Sequence, residues 1–226
     1  MNIEMFVTGF LFLFILVLNI PIALFGNRSE FGDFDLDTWL QKISKNPNNF
    51  QIGIIIGLIE HICVVALALM MFIVFSPYNI ILGLIWTIPR IGEGLIQIYN
   101  EKYSKKLLNI AKHYSNATGA EKNTLSDLAR VNSQTKNSRF SLAMILWSIG
   151  TFTYSILFVA HGVLPPIIGP IIGGLGIIGS LLIGFYNGIE LIKPKFKVFK
   201  VLSPIGGLLS ILFEILLGGL LLFISL

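Results

Sequence analysis

The chain has 226 residues, of which 54% are hydrophobic and only 12% are charged, with a formal net charge of +4. A soluble domain carries about 25% charged residues, so this composition and a mean hydropathy of +0.82 predict a chain solvated by lipid. Membrane crossings of about 20 residues each would fill most of this length, which excludes a separate water-soluble catalytic domain.

Six apolar runs follow one another along the chain, each long enough to cross a bilayer as a helix. They are residues 5–25, 52–75, 78–99, 140–160, 164–186 and 203–225. Residues 1–4 carry no basic residue, so the first run is predicted to be a span and not a signal peptide. Backbone amides in hydrocarbon must be satisfied within each segment, which favours helices. The sequence therefore predicts an all-α fold in which residues 1–226 form a single polytopic bundle of six transmembrane helices.

Prolines mark several of the predicted helix starts, where a missing backbone amide costs no intrahelical bond. Pro77 precedes the third run, Pro165 and Pro166 open the fifth, and Pro204 lies at the start of the sixth. Only Ser76 and Pro77 separate the second and third runs, so these two helices are predicted to form a tight antiparallel hairpin.

Basic residues lie in alternate connections of the predicted bundle. Connections one, three and five hold every lysine and arginine except Arg90, whereas the termini and connections two and four have none. The positive-inside rule therefore predicts that connections one, three and five are cytoplasmic and that both termini lie outside a cell membrane. The basic residues of the three connections are Arg28, Lys42, Lys45, Lys102, Lys105, Lys106, Lys112, Lys122, Arg130, Lys136, Arg139, Lys193, Lys195, Lys197 and Lys200.

The third connection is predicted to be partly helical. Apolar residues recur at helical spacing among its lysines, at Leu107, Leu108, Ala111 and Tyr114. This pattern favours a basic amphipathic helix that continues the third span. Thr124 with Asp127 resembles a capping box that would begin a second short helix. The basic face is either an ordinary positive-inside anchor or a surface that binds anionic lipid headgroups.

The first connection contains a shorter helical pattern. Asp37 is followed by Trp39, Leu40 and Ile43, which predicts a short helix lying in the membrane interface. Membrane lipids are the partners that the composition implies, and no nucleic-acid partner is expected.

Two stretches of the sequence carry a family likeness. The first runs from Leu67-Ala68-Leu69 through Phe75-Ser76-Pro77-Tyr78-Asn79 to Pro89-Arg90 and Glu93; the second contains Leu157-Phe158, Gly162-Val163-Leu164-Pro165 and a glycine-rich run. These stretches resemble an uncharacterised family of six-span prokaryotic membrane proteins, domain of unknown function 4386. The resemblance implies a six-helix fold and no particular activity. Family members commonly carry arginines in the second and fourth connections, which have none here, and the family's orientation would exchange the two sides.

Four residues that are normally charged at pH 7 fall inside the predicted spans: Glu60, Arg90, Glu93 and Glu214. Such residues cost about 2.5–3.5 kcal/mol each on insertion scales, so they usually face a protein interior or water. At a rise of about 1.5 Å per residue, all four lie within about 7 Å of the midplane, toward the basic side. We therefore predict one buried polar cluster on three helices.

Pairing within this cluster bears on its role. Glu60 and Arg90 lie at matching heights on the two arms of the hairpin, so an ion pair between them is expected. Arg90 and Glu93 share a helix face with Trp86 and Gln97. Because one guanidinium cannot neutralise three carboxylates, at least one glutamate must be protonated or contact water or a cation. His61 could extend a proton relay, although it points about 100° around the helix from Glu60.

Pro89 falls within the third span and is predicted to kink it. A proline there frees the carbonyl of Ile85, next to Gly92 and Gly94. Kinked helices with exposed carbonyls beside charged side chains form midplane sites in transporters. The alternative is that the charges fasten the helices together and that the proline is an ordinary kink.

Small residues recur at every fourth position of the fifth span: Gly176, Ser180, Gly184 and Gly188. This stripe permits close helix contact, either within the chain or between subunits of a homo-oligomer.

The sequence offers few catalytic chemistries. Three scattered histidines and one cysteine, Cys63, give no metal-ligand or haem spacing, and we expect no catalytic residue, metal or cofactor. The first hypothesis is a small transport or permeation protein built around Glu60, Arg90, Glu93 and Glu214. The second is a non-catalytic membrane scaffold or accessory subunit, and the third is a lipid-modifying enzyme acting at the basic face.

Overall fold

The computed structural model describes residues 2–25, 36–193 and 201–226. These ranges contain seven α-helices and no strand. The helices are α1 (Ile3–Leu24), α2 (Leu36–Lys45), α3 (Pro47–Phe75), α4 (Ile80–Tyr114), α5 (Gly119–Ala160), α6 (Ile168–Ile192) and α7 (Leu202–Ser225). All except α2 are long and apolar enough to cross a membrane. The predicted all-α bundle of six spanning helices is therefore confirmed.

Local sequence signals account for several helix ends. The side chain of Asn79 accepts a hydrogen bond from the Leu82 amide at 3.0 Å and so caps the start of α4. Pro47 occupies the first position of α3, where a proline is tolerated. After α5 ends, Gly162 adopts a φ of +59°, a left-handed conformation that favours glycine. The hairpin between α3 and α4 turns within residues 76–79.

The six long helices form a closed ring. Each packs against two others in the cyclic order α1, α3, α4, α5, α6, α7 and back to α1. The amide of Asn2 donates a hydrogen bond to the carbonyl of Ser225 at 2.9 Å, so α1 begins beside the end of α7. Buried apolar side chains from all six helices fill the centre, among them Phe12, Val64, Trp86, Phe158, Ile172 and Phe213. A polar side chain that points toward this centre is screened from lipid.

Helices α4 and α5 are much longer than a membrane crossing requires. They have 35 and 42 residues, or about 52 and 63 Å at 1.5 Å per residue, against a hydrocarbon thickness of about 30 Å. The excess forms a helical hairpin beyond the bundle, with its turn at residues 115–118. The predicted continuation of the third span is confirmed, because α4 runs to Tyr114.

The predicted short helix at Thr124 is wrong. Helix α5 already begins at Gly119 and continues without interruption into the fourth span. Thr124 lies inside it, and its hydroxyl donates to the carbonyl of Ala120, one turn earlier, at 3.0 Å. A threonine that bonds to its own helix in this way does not act as a cap.

Helix α2 packs against the helical hairpin that α4 and α5 form beyond the bundle. Its apolar residues Trp39, Leu40 and Ile43 are buried in a second hydrophobic core with Phe50 of α3. The other members of this core come mainly from the hairpin: Leu107, Leu108, Ala111, Tyr114 and Ala129. The helix predicted in the first connection is present, but its apolar face packs on protein, because the hairpin offers a complementary apolar surface.

Helix α2 and residues 100–139 are called the basic end below. The second core joins connections one and three, so both lie at the same end of the bundle, which the alternation of the basic residues requires. Arg28, Lys195, Lys197 and Lys200 lie outside the described residues. That this end faces the cytoplasm stays a prediction from the charge distribution.

Candidate functional site: a buried polar cluster

One face of α4 carries a continuous stripe of buried side chains, most of them polar. Trp86, Arg90, Glu93, Gln97 and Glu101 follow one another at intervals of three or four residues, and each is at most 8% exposed. This spacing keeps all five on one face of the helix. Eight residues separate Glu93 from Glu101, so the polar stripe descends about 12 Å from the interior of the bundle toward the basic end.

Arg90 and Glu93 form a buried ion pair one turn apart on α4. An Nη1 atom of Arg90 lies 2.5 Å from Oε2 of Glu93. The guanidinium also lies over the ring of Trp147 on α5, at 5.9 Å from its centroid. A Cβ on Gly150 would stand 2.5 Å from Cγ of Arg90, so the absence of a side chain there lets the arginine lie against α5.

His61, and not Arg90, is the ion-pair partner that the structure gives to Glu60. Nδ1 of His61 contacts Oε2 of Glu60, and Nε2 of the same ring lies 3.5 Å from Oε1 of Glu101. The expected pair between Glu60 and Arg90 is therefore replaced, because Arg90 is engaged by Glu93 and the imidazole is nearer to Glu60. The ring of His61 connects a carboxylate of α3 to a carboxylate of α4.

Glu93 is the member of the predicted cluster whose electrostatic neighbours include the other three members. Its carboxylate interacts electrostatically with Glu60, Glu214 and His61 in addition to Arg90. Glu214 is half-buried on α7, so the cluster draws its members from α3, α4 and α7. Close packing of α3 on α4 supports this arrangement: a Cβ on Gly94 would stand 3.2 Å from the carbonyl oxygen of His61.

Two further polar groups lie beside the ion pair. Trp86 and Tyr154 pack against one another in the centre of the ring, and Tyr154 interacts electrostatically with Arg90 and Glu93. Among the described residues, neither the indole Nε1 of Trp86 nor the phenol oxygen of Tyr154 has a hydrogen-bond partner. A buried donor without a partner is costly, so these two groups keep unused hydrogen-bonding capacity beside Arg90 and Glu93.

The sequence analysis did not single out Glu101 or Tyr154. Glu101 lies just past the apolar run of the third span, where it counted as a connection residue. The four-residue spacing of Glu93, Gln97 and Glu101 was the available signal. Tyr154 falls in an apolar run whose spacing does not distinguish a residue of the packed centre from one of the cluster. Pro89 lies within α4, which remains helical on both sides of it.

The glycine stripe of α6 packs mostly against other helices of the same chain. A Cβ on Gly176 would stand 2.9 Å from the Phe213 ring of α7, and one on Gly184 would stand 3.0 Å from Cβ of Ser148 on α5. Ser180 is fully buried, whereas a Cβ on Gly188 would meet nothing within 4 Å. Three of the four members thus face neighbouring helices, and homo-oligomer formation through this stripe stays a prediction.

The sequence matches one known protein family. Residues 7–225 match the model of one family, domain of unknown function (DUF4386). The chain belongs to this family. The match covers nearly the whole chain, whereas the resemblance seen in the sequence covered about half of it. Neither the curated proteins nor the solved structures contain a match to the chain.

The residues that carry the DUF4386 likeness have structural roles here. Phe75, at the end of α3, packs edge-on against Trp86 and Phe158, with ring centroids 6.2 and 5.2 Å away. Asn79 caps α4, which then presents the ion pair of Arg90 and Glu93. The first motif of the likeness therefore builds the α3–α4 hairpin and holds the charged pair at its inner face.

Proposed function

We propose that this integral membrane protein is a small transport or permeation protein that moves protons through its buried polar cluster. The observation that supports the proposal most directly is the chain of contacts from Glu60 through His61 to Glu101. The Glu93 carboxylate interacts electrostatically with the first two members of this chain. Buried Asp, Glu and His side chains in such series serve as proton relays in pumps and transporters.

The charge balance of the cluster supports a role beyond helix fastening. The Glu93 carboxylate interacts electrostatically with two further carboxyl groups, those of Glu60 and Glu214, and with two groups that can carry positive charge, Arg90 and His61. A cluster built only to join helices would need one carboxylate for each cation, because every unpaired buried charge destabilises the fold. Carboxyl groups that interact electrostatically with one another can instead exchange protons as the cluster titrates.

In the proposed relay, protons pass along the contacts of His61. His61 accepts a proton at one ring nitrogen and releases one at the other, and its two nitrogens face different carboxylates. Glu101 lies at the level where α4 leaves the apolar run and enters the basic end. On the other side of Glu93, the unpartnered groups of Trp86 and Tyr154 extend hydrogen-bonding capacity toward the opposite end of the bundle.

A membrane scaffold or accessory subunit is the second candidate. The placement of Arg90 favours it, since the side chain lies over Trp147 and Gly150 and so joins α4 to α5 as well as pairing with Glu93. In a scaffold the cluster would contribute to stability and would carry no current. The two candidates therefore differ in a quantity that can be measured on the purified protein.

Proton flux into liposomes is the decisive measurement. We expect the purified wild-type protein, reconstituted with an internal pH-sensitive dye, to carry a potential-driven proton flux above that of empty liposomes. Replacing Glu101 with glutamine should lower this flux at least tenfold, because the amide keeps the shape of the side chain but cannot exchange a proton. Glu93→Gln, which changes a carboxylate deeper in the bundle, should also lower the proton flux at least tenfold.

The matched control is Asp127→Asn, the same chemical change at an exposed carboxylate of the basic end. It should leave the flux unchanged. Thermal unfolding of each variant shows whether a loss of flux arises from loss of the fold. A folded wild-type protein without flux would overturn the proposal and favour the scaffold, as would full flux in the folded Glu101→Gln variant.

A further inference from the structure

Two tyrosines and three cations form a compact surface where α4 leaves the membrane. Tyr99 and Tyr103 are one turn apart on α4, with ring centroids at 6.5 Å. Nζ of Lys102 lies over both rings, at 3.4 and 5.0 Å from the centroids. The guanidinium of Arg139, from α5, lies at 4.7 and 5.4 Å from the same rings. Lys106 is the third cation, at 5.5 Å from Tyr103.

The cations of this surface have no acidic ion-pair partner among the residues that the structure describes. None of the ion pairs found among the described residues involves Lys102, Lys106 or Arg139. The nearest acidic residue along α4, Glu101, is buried on the inner face with His61. The cations are held by the faces of the two rings, which leaves their charge available to an anion.

The surface continues into exposed apolar side chains on the side of the membrane. Leu95 lies one turn before Tyr99 on α4, and Leu142 lies one turn after Arg139 on α5. Both are exposed, at 56% and 42%. The two helices pack together, so basic and aromatic groups lie at one level and lipid-facing leucines at the next. An anion that binds here is thus adjacent to an apolar surface that acyl chains can cover.

We propose that Tyr99, Lys102, Tyr103, Lys106 and Arg139 form a binding site for the phosphate headgroup of an anionic phospholipid. The cations attract the phosphate, the tyrosines sit at the headgroup level where aromatic side chains are enriched, and Leu95 and Leu142 contact the acyl chains. A soluble anion would use only the first of these three features. This site is separate from the buried cluster and does not depend on the proposed proton flux.

The test compares lipid binding by the wild-type chain and by two triple variants. The site variant carries Lys102→Gln, Lys106→Gln and Arg139→Gln; the control variant carries Lys112→Gln, Lys122→Gln and Arg130→Gln. Both lose three positive charges from the α4–α5 hairpin. The purified proteins are titrated in neutral detergent with phosphatidylglycerol or phosphatidylcholine, and bound lipid is measured by native mass spectrometry.

We expect the wild-type protein to prefer phosphatidylglycerol. The site variant should lose at least tenfold in affinity for that lipid, because each basic residue near an anionic headgroup contributes about a fivefold factor. The control variant should stay within about twofold of wild type. Equal losses of affinity in the two variants would mean that the lipid is attracted by the overall positive charge of the hairpin. That result would overturn the proposed binding site. Equal affinity of the wild-type protein for both lipids would also overturn it.

Discussion

Replacing Arg90 with leucine is expected to lower the free energy of unfolding by about 3–5 kcal/mol, the usual cost of removing one partner of a buried ion pair. The substitution removes the guanidinium that contacts Glu93 at 2.5 Å. It leaves that carboxylate facing Glu60 and Glu214. Reversible unfolding by a denaturing detergent in mixed micelles, extrapolated to zero denaturant, measures the change.

The chain supplies a matched control for this prediction. Arg130 pairs with Asp127 at the same three-residue spacing on a helix, but both side chains are more than 60% exposed. Arg130→Leu should change stability by less than about 1 kcal/mol, the usual range for exposed pairs. The double variant Arg90→Leu with Glu93→Leu should regain most of the lost stability, since no orphaned charge remains. A cost for Arg90→Leu no larger than that for Arg130→Leu would contradict the buried pair.

The number of spans and their order could be predicted because both depend on the length of apolar runs. The extent of α5 could not. Its first 20 residues are mostly polar, so the sequence suggested a connection in which Thr124 capped a separate helix. In the structure, the hydroxyl of Thr124 bonds to the carbonyl of Ala120, and the helix continues through it. A threonine with an acidic residue three positions later has the same sequence signature in both situations.

In the candidate site, residue counting gave the depth of each side chain but did not give its contact partners. Depth along a helix follows from residue counting, and this counting put Glu60, Arg90, Glu93 and Glu214 at one level. Partner choice depends on side-chain rotamers and helix rotation, which counting does not give. His61 therefore pairs with Glu60 and reaches Glu101, although ideal geometry points it about 100° away. The longer and more flexible side chains of Glu60 and Glu101 can reach the imidazole ring despite this angle.

Glycine spacing gave a partial view of helix packing. The regular stripe on α6 was visible in the sequence, whereas α1 and α7 approach each other closely at glycines that belong to no such stripe. A Cβ on Gly9 would stand 2.7 Å from the carbonyl oxygen of Gly218. These two helices lie at opposite ends of the chain, so no local pattern connects them. Their contact completes the ring.

Replacing Gly218 with leucine is expected to lower the free energy of unfolding by about 3 kcal/mol, at the upper end of the usual cost of overpacking. A Cβ at this position would stand 2.9 Å from Cβ of Phe12 and 3.2 Å from the carbonyl oxygen of Gly9. The Cβ of Phe12 and the carbonyl of Gly9 are fixed to the backbone of α1. The added side chain therefore has to push α1 and α7 apart, which opens the ring and exposes the central core.

Gly219→Leu is the control for this prediction, because a Cβ on Gly219 would meet nothing within 4 Å. The two variants place the same side chain one residue apart on α7 and differ in the side of the helix that carries it. Gly219→Leu should retain wild-type stability or gain slightly, since leucine favours helix more than glycine does. A disulfide between cysteines introduced across α1 and α7 reports the separation directly, and its formation should fail only with Gly218→Leu. Equal stability of the two leucine variants would mean that α1 and α7 are not in close contact and that the ring is open at this point.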